Sequence, residues 1–133
     1  MAYRQKDYTY NNALSKDENI LLDRLYKLRL SHMAEELERQ VRGLYPWPGT
    51  YGFLKGKMLK ILSCRIPEEE IRWSEGTVPG QLLAEQGERL FIRCGSGTLE
   101  VLELQQEGKK RMPVPDWLRG ARIGEDAVLS GKR

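Results

Sequence analysis

Basic side chains gather twice in this sequence. Lys55, Lys57 and Lys60 are close neighbours, Lys109, Lys110 and Arg111 are consecutive, and Arg42 stands upstream of both groups. Ammonium and guanidinium groups collected on one surface make a local positive field. Meeting phosphates, they release counterions and give affinity for a nucleic-acid backbone without reading its sequence. The net charge of +3 is too small to point to such a partner, but its distribution is informative. Residues 1–41 balance seven Lys/Arg against seven Asp/Glu, whereas residues 42–133 hold fifteen against twelve. The whole excess therefore lies in the second part. Taken alone, these bases read more simply as a solvated face, where Lys and Arg usually reside.

Other chemistry is poorly supported. Gly52 to Met58 glances at a phosphate-binding loop, but the spacing is one residue short and Met58 stands where the metal-binding Ser or Thr belongs. Gly95-Ser96-Gly97 lacks the third glycine of a dinucleotide fingerprint and sits between strand-like segments, so it reads as a turn. A Cys–His nucleophile would need His32 beside Cys64 or Cys94, and nothing in the sequence arranges that. Two cysteines and one histidine are too few for an ordinary structural zinc site. The thiols are expected to be free and buried. Glu68-Glu69-Glu70 reads as a solvated acidic loop, since adjacent carboxylates are not the spaced acid and base of hydrolysis. No catalytic residue, cofactor or metal is expected. The lack of a membrane-length apolar run, together with a charged N-terminus, implies a cytoplasmic chain.

The elements that must position these groups change character near residue 42. Residues 1–14 read as a polar, tyrosine-rich arm. Ser15 with Glu18 fits a capping box ahead of Leu21, Leu25 and Leu28 at helical spacing. Ser31 can cap a second helix with Met33, Ala34, Leu37 and Val41 on one face. Residues 1–41 are thus a polar arm and helical hairpin. Gly43 and then Tyr45-Pro46-Trp47-Pro48-Gly49 end the helical pattern, and Trp47 is expected in a packed corner. Beyond it, Tyr51–Leu54, Lys57–Ile66, Val78–Ala84, Leu90–Cys94 and Thr98–Leu104 read as strands, and Pro113–Arg119 as a short helix with Trp117 in the core. The tail from Arg122 reads as polar. Short strands with regular turns favour a small barrel, making residues 42–133 a mainly β unit in an α+β chain.

The run Arg42-Gly43-Leu44-Tyr45-Pro46-Trp47-Pro48-Gly49-Thr50-Tyr51 resembles the opening of the C-terminal domain of methionyl-tRNA formyltransferases. Gly56-Lys57-Met58-Leu59-Lys60-Ile61, Gly76 to Leu82, Cys94 to Leu99, Leu104 to Met112 and Trp117 to Gly120 are similar to further motifs of that family in the same order. The likeness covers roughly residues 42–128, and its most specific part is Gly108-Lys109-Lys110-Arg111-Met112. Pro113 and Pro115 depart from it, standing where the family usually has Ser and Ala. A shorter stretch, Leu25 to Gln40, resembles the N-terminal helical segment of insertion-sequence helper ATPases.

The longer resemblance implies an open Greek-key β-barrel of the oligonucleotide-binding type, preceded by the N-terminal helical arm. It implies a non-catalytic tRNA- or RNA-binding accessory domain serving translation initiation, with Arg42, Lys55, Lys57, Lys60, Lys109, Lys110 and Arg111 on the RNA backbone. The family's formyl-transfer domain has no counterpart in these residues, so a separate catalytic formyltransferase domain is an expected partner. Self-association through the N-terminal helices is a further expectation. The alternative is a protein-interaction or oligomerisation module of a formyltransferase-like or transposition-related assembly.

Overall fold

The computed structural model describes residues 33–45 and 49–131. The arm, the Ser15/Glu18 capping box, Leu21, Leu25, Leu28, Ser31, His32 and Pro46-Trp47-Pro48 lie outside the described residues. Among the described residues one helix precedes the strands: α1 (Ala34–Leu44). Then come β1 (Thr50–Leu54), β2 (Lys57–Arg65), β3 (Leu82–Glu85), β4 (Arg89–Arg93), β5 (Thr98–Gln106), β6 (Arg111–Pro113) and the short α2 (Val114–Leu118). The strands form one antiparallel sheet in the order β1-β2-β5-β4-β3, with β6 also paired to β5. The nine-residue β5 holds this together, because β4 pairs with its first half and β6 with its second.

Turn chemistry sets the register. Lys55 (φ 51) and Gly56 (φ 78) are consecutive positive-φ residues, the backbone of the two-residue turn that suits the twist of an antiparallel hairpin. They align Leu54 with Lys57 and Thr50 with Ile61. Gln86 (φ 54) and Gly87 (φ 69) are again consecutive positive-φ residues between β3 and β4, but one residue more, Glu88, separates the paired Glu85 and Arg89 there. Register shifts around Ser63 bend β2 along β5.

α1 buries Ala34, Leu37 and Val41 in the same cluster as Leu59, Ile61, Leu90, Ile92, Leu99 and Leu104 of the sheet. This helix, expected in a separate arm, therefore shares the core of the strand-rich part. Met33, expected on its apolar face, is exposed and occupies the N-cap without a side-chain bond. The Ala34 amide instead donates to the Ser96 carbonyl at 2.9 Å, tying the helix start to the β4–β5 turn. Trp117 is buried as expected, and its Nε1 donates to Gln106 Oε1 at 2.9 Å.

Three expectations are corrected. Val78–Gln81 is not part of β3: Gly80 adopts φ 101, Gln81 makes only an isolated bridge to Val128, and the ladder with β4 begins at Leu82. β6 was not anticipated, because three residues ending in Pro113 give no periodic signal. The tail is not merely polar. Ala127 and Leu129 are buried, the Leu82 amide donates to Ala127 O at 2.9 Å, and Ser130 and Phe53 exchange backbone bonds at 2.7 and 2.8 Å. Residues 127–130 thus bridge the β3 and β1 edges of the sheet. Gly52 makes room for this strap, since a Cβ there would lie 2.9 Å from Leu129 Cγ.

The second face of the sheet is covered in part by the β2–β3 loop. Phe91 and Glu100 are cross-strand neighbours and both are buried. The Arg89 guanidinium lies 4.8 Å from the Phe91 ring centre and bonds both Glu100 oxygens, at 3.0 and 2.8 Å. Arg65 adds a bond at 2.9 Å. Arg89 also reaches Glu69 at 2.7 Å, so the acidic loop is anchored to the sheet and not merely solvated. Trp73 Nε1 donates to Thr98 Oγ1 at 2.8 Å, a second anchor for the same loop.

Candidate nucleic-acid interface

The β1–β2 hairpin and the β5–β6 turn meet at one end of the sheet, because β2 and β5 pair from Leu59 and Gln106 inward. Glu107 locks them together. Its Oε1 accepts from the Met58 amide at 3.1 Å, and its own amide donates to Met58 O at 2.8 Å. Lys55 and Lys57 are exposed on the first turn, and Lys109 and Lys110 on the second. Among the described residues none of these four takes part in an ion pair. Two stretches about fifty residues apart in sequence (Lys57 and Lys109) thus share one rim.

Three of the expected basic residues are placed differently. Lys60 is 1% exposed and lies against Gly49, whose missing side chain leaves room for it; a Cβ there would sit 2.4 Å from Lys60 Cε. The expectation of a surface lysine is corrected: Lys60 sits in an apolar stretch of β2 that is covered on both faces. Burial pushes its amine down to about 8. Arg42 forms a two-pronged pair with Glu38, both bonds at 3.0 Å, one helical turn away. The hydrogen bond and the charge of that carboxylate raise the Arg42 pKa. Arg111 is paired with Glu103, and its guanidinium lies 5.5 Å from the Tyr45 ring centre. Arg42, Tyr45 and Glu103 line a separate groove of about 500 Å³ with Val41, Leu62 and Leu102.

A residue that the sequence did not single out joins the lysine rim. Arg122 lines a groove of about 250 Å³ with Lys55, Lys57, Leu54, Leu59, Gln106, Trp117, Ala121 and Ile123. Its isolation in a polar tail gave no signal; only the return of the chain after α2 brings it here.

Cys94 is buried and Cys64 half-buried, and both thiols are free. Desolvation pushes each up to about 12, so neither is an activated nucleophile. Hydrogen bonds from Arg89 hold Glu69 down at about 2 and depress Glu100 as well. Among the described residues no group of three or more His, Cys, Asp or Glu could hold a metal, and no helix is long and apolar enough to cross a membrane.

A six-stranded antiparallel sheet packed by α1 and α2 and strapped by residues 127–130 defines a small, mainly β domain. The family described as formyl transferase, C-terminal domain, matches residues 24–122, and this chain belongs to it. Over 120 residues it is 46% identical to the methionyl-tRNA formyltransferase of Geotalea daltonii, covering 90% of this chain and 35% of that protein. The corresponding enzyme of Rickettsia felis is 35% identical over 121 residues, 91% of this chain and 35% of its own. That of Citrifermentans bemidjiense is 37% identical over 102 residues, 77% of this chain and 30% of its own. The chain thus spans about a third of the length of these relatives. Because the family match starts at residue 24, it includes residues 25–40, the stretch similar to insertion-sequence helper ATPases. That stretch belongs with the formyl transferase domain.

Proposed function

We propose that this chain is the RNA-contacting, non-catalytic part of a methionyl-tRNA formyltransferase. In this reading the sheet and its C-terminal strap form a small barrel of the oligonucleotide-binding type. Lys55, Lys57, Lys109 and Lys110 bind the tRNA backbone, and a formyl-transfer domain acts on the RNA they hold. Lys60 is buried and offers no surface contact, and Arg42 and Arg111 contribute little because carboxylates already hold them.

The joined lysine turns support this most directly. Four ammonium groups that form no ion pair among the described residues, on two turns locked through Met58 and Glu107, can neutralise several phosphates at once. The tRNA comes from the relatives, which are methionyl-tRNA formyltransferases. Titration of initiator tRNA and of a duplex-DNA control at about 50 and about 200 mM salt tests the reading. Tighter binding of tRNA, steeply weakened by salt, is expected. Weak and equal binding to both reduces the claim to generic polyanion affinity.

A second reading has its own observation. Exposed Tyr45 and Leu102 line the groove shared with Arg42, an apolar surface suited to the catalytic domain as protein partner. Both contacts are compatible, since they use different parts of the molecule.

A further inference from the structure

We infer that the groove between the β1–β2 hairpin and the segment following α2 takes an unpaired nucleotide of the bound RNA. The inference rests on the RNA-binding reading above and adds the form of RNA that the site selects.

Charge singles out this groove. Of four prominent grooves among the described residues, three have carboxylates in their walls: Glu75 and Glu125 in one, Glu38 and Glu103 in another, Glu69 and Glu70 in the third. The fourth has Lys55, Lys57 and Arg122 and no acidic residue. An anion is favoured there, whereas in each of the other three two carboxylates outnumber a single arginine, Arg72, Arg42 or Arg93. The same groove is also lined by Leu54, Ala121 and Ile123, with the buried Leu59 and Trp117 behind its wall. A bare phosphate gains nothing from apolar surface, whereas a phosphate joined to a flat ring uses both halves of the site. At about 250 Å³ the groove is smaller than pockets for drug-sized ligands, about 300–1,000 Å³. It fits one ring system and excludes a helix, so the base must be splayed out of any duplex.

Gln106 adds polarity of defined sense. The Trp117 indole can only donate, so the Gln106 oxygen must face it, as the 2.9 Å bond has it. The side-chain NH2 of Gln106 is then the group left for the groove, a donor for an acceptor atom on the base edge.

The test compares a blunt RNA duplex with the same duplex carrying a short unpaired overhang, using the chain itself and the variants Ala121→Leu and Arg122→Gln. The first variant fills the groove, and the second removes an exposed charge without touching the core. The overhang is expected to tighten binding about fivefold in the unsubstituted chain, from the apolar contact of one splayed base and the charge met by its phosphate. Both variants should lose most of that gain, and Ala121→Leu should bind the blunt duplex within about twofold of the unsubstituted chain. Should Ala121→Leu lower the thermal midpoint, Arg122→Gln alone carries the comparison. Equal affinity for blunt and overhang RNA, with salt dependence intact, overturns the groove but leaves the phosphate-binding reading standing. Salt-independent binding, or none, to either RNA overturns both. A free mononucleotide that competes as strongly as the overhang would show a small-molecule site and overturn the assignment to RNA.

Discussion

The amide of Met58 and the carboxylate of Glu107 lie 3.1 Å apart, and the Glu107 amide answers with a 2.8 Å bond to the Met58 carbonyl. This reciprocal pair is the physical reason that lysines far apart in sequence share one rim. The Glu107 carboxylate is also a negative charge at the base of that rim. Glu107→Gln keeps an oxygen acceptor for Met58 and removes the charge. RNA affinity should rise by about twofold, as expected for one screened charge nearby, with the thermal midpoint almost unchanged. Equilibrium titration and a melt check both parts.

Glu100 anchors Arg65 and Arg89 from a nearly inaccessible position on the second face. Glu100→Ala leaves those guanidinium groups without their shared counter-charge and should cost about 2 kcal/mol, less than a fully buried pair because Arg65 is half exposed. Denaturant unfolding measures it. Glu69 and Glu100 have folded-state pKa values below their ordinary ones, so their contribution is present above the unfolded carboxylate range of about 4 and fades as pH falls below it, for Glu69 toward about 2. Acid unfolding should accordingly begin at higher pH in Glu100→Ala than in the unsubstituted chain.

Lys60 gives the opposite kind of pH dependence. Its amine is lowered from about 10.5 to about 8 by burial, so between those values the unfolded chain binds the extra proton. The native state gains stability as pH rises through that window, by up to about 1.4 kcal/mol per unit. The thiols of Cys64 and Cys94, raised from 9.0 to about 12, oppose this above pH 9. Comparison with Lys60→Met cancels the thiols. The stability of the unsubstituted chain relative to Lys60→Met should climb between pH 8 and about 10.5, as read by denaturant titration. A flat difference contradicts the buried placement.

The strap depends on Gly52. Gly52→Ala sets a methyl group against Leu129 and should destabilise the fold by about 1–3 kcal/mol. Leu129→Ala, which vacates a fully buried site, should cost about 2–4 kcal/mol. Amide exchange at Ser130 and Phe53, which share the edge bonds, should accelerate in both variants.

Local signals made much of the fold legible. Lys55-Gly56 and Gln86-Gly87 marked hairpin turns, and strands flank both. What escaped was long-range. The 127–130 strap has buried Ala127 and Leu129 in alternation, a period too short to separate from a polar tail before its partners at Gly80 and Phe53 are known. The sheet-covering role of Glu69 likewise depends on Arg89, twenty residues away. Within the candidate site, the pairing of Arg42 with Glu38 was visible as an i,i+4 spacing on a helix. Lys60 was surrounded by Met58, Leu59, Ile61 and Leu62, and that continuous apolar run was the sign of a strand covered on both faces. Nothing local could have linked Arg122 to Lys55 and Lys57.

The most direct test is the dependence of tRNA affinity on salt for two double variants. Lys109→Ala with Lys110→Ala should lower the slope of log affinity against log salt by about 2, since each lost phosphate contact removes about one unit. Arg42→Ala with Arg111→Ala should leave the slope within about 0.5 of the unsubstituted chain, because Glu38 and Glu103 already hold those charges. Equal losses from both pairs, or a slope untouched by removal of the two lysines, would contradict the lysine rim as the surface that meets the RNA.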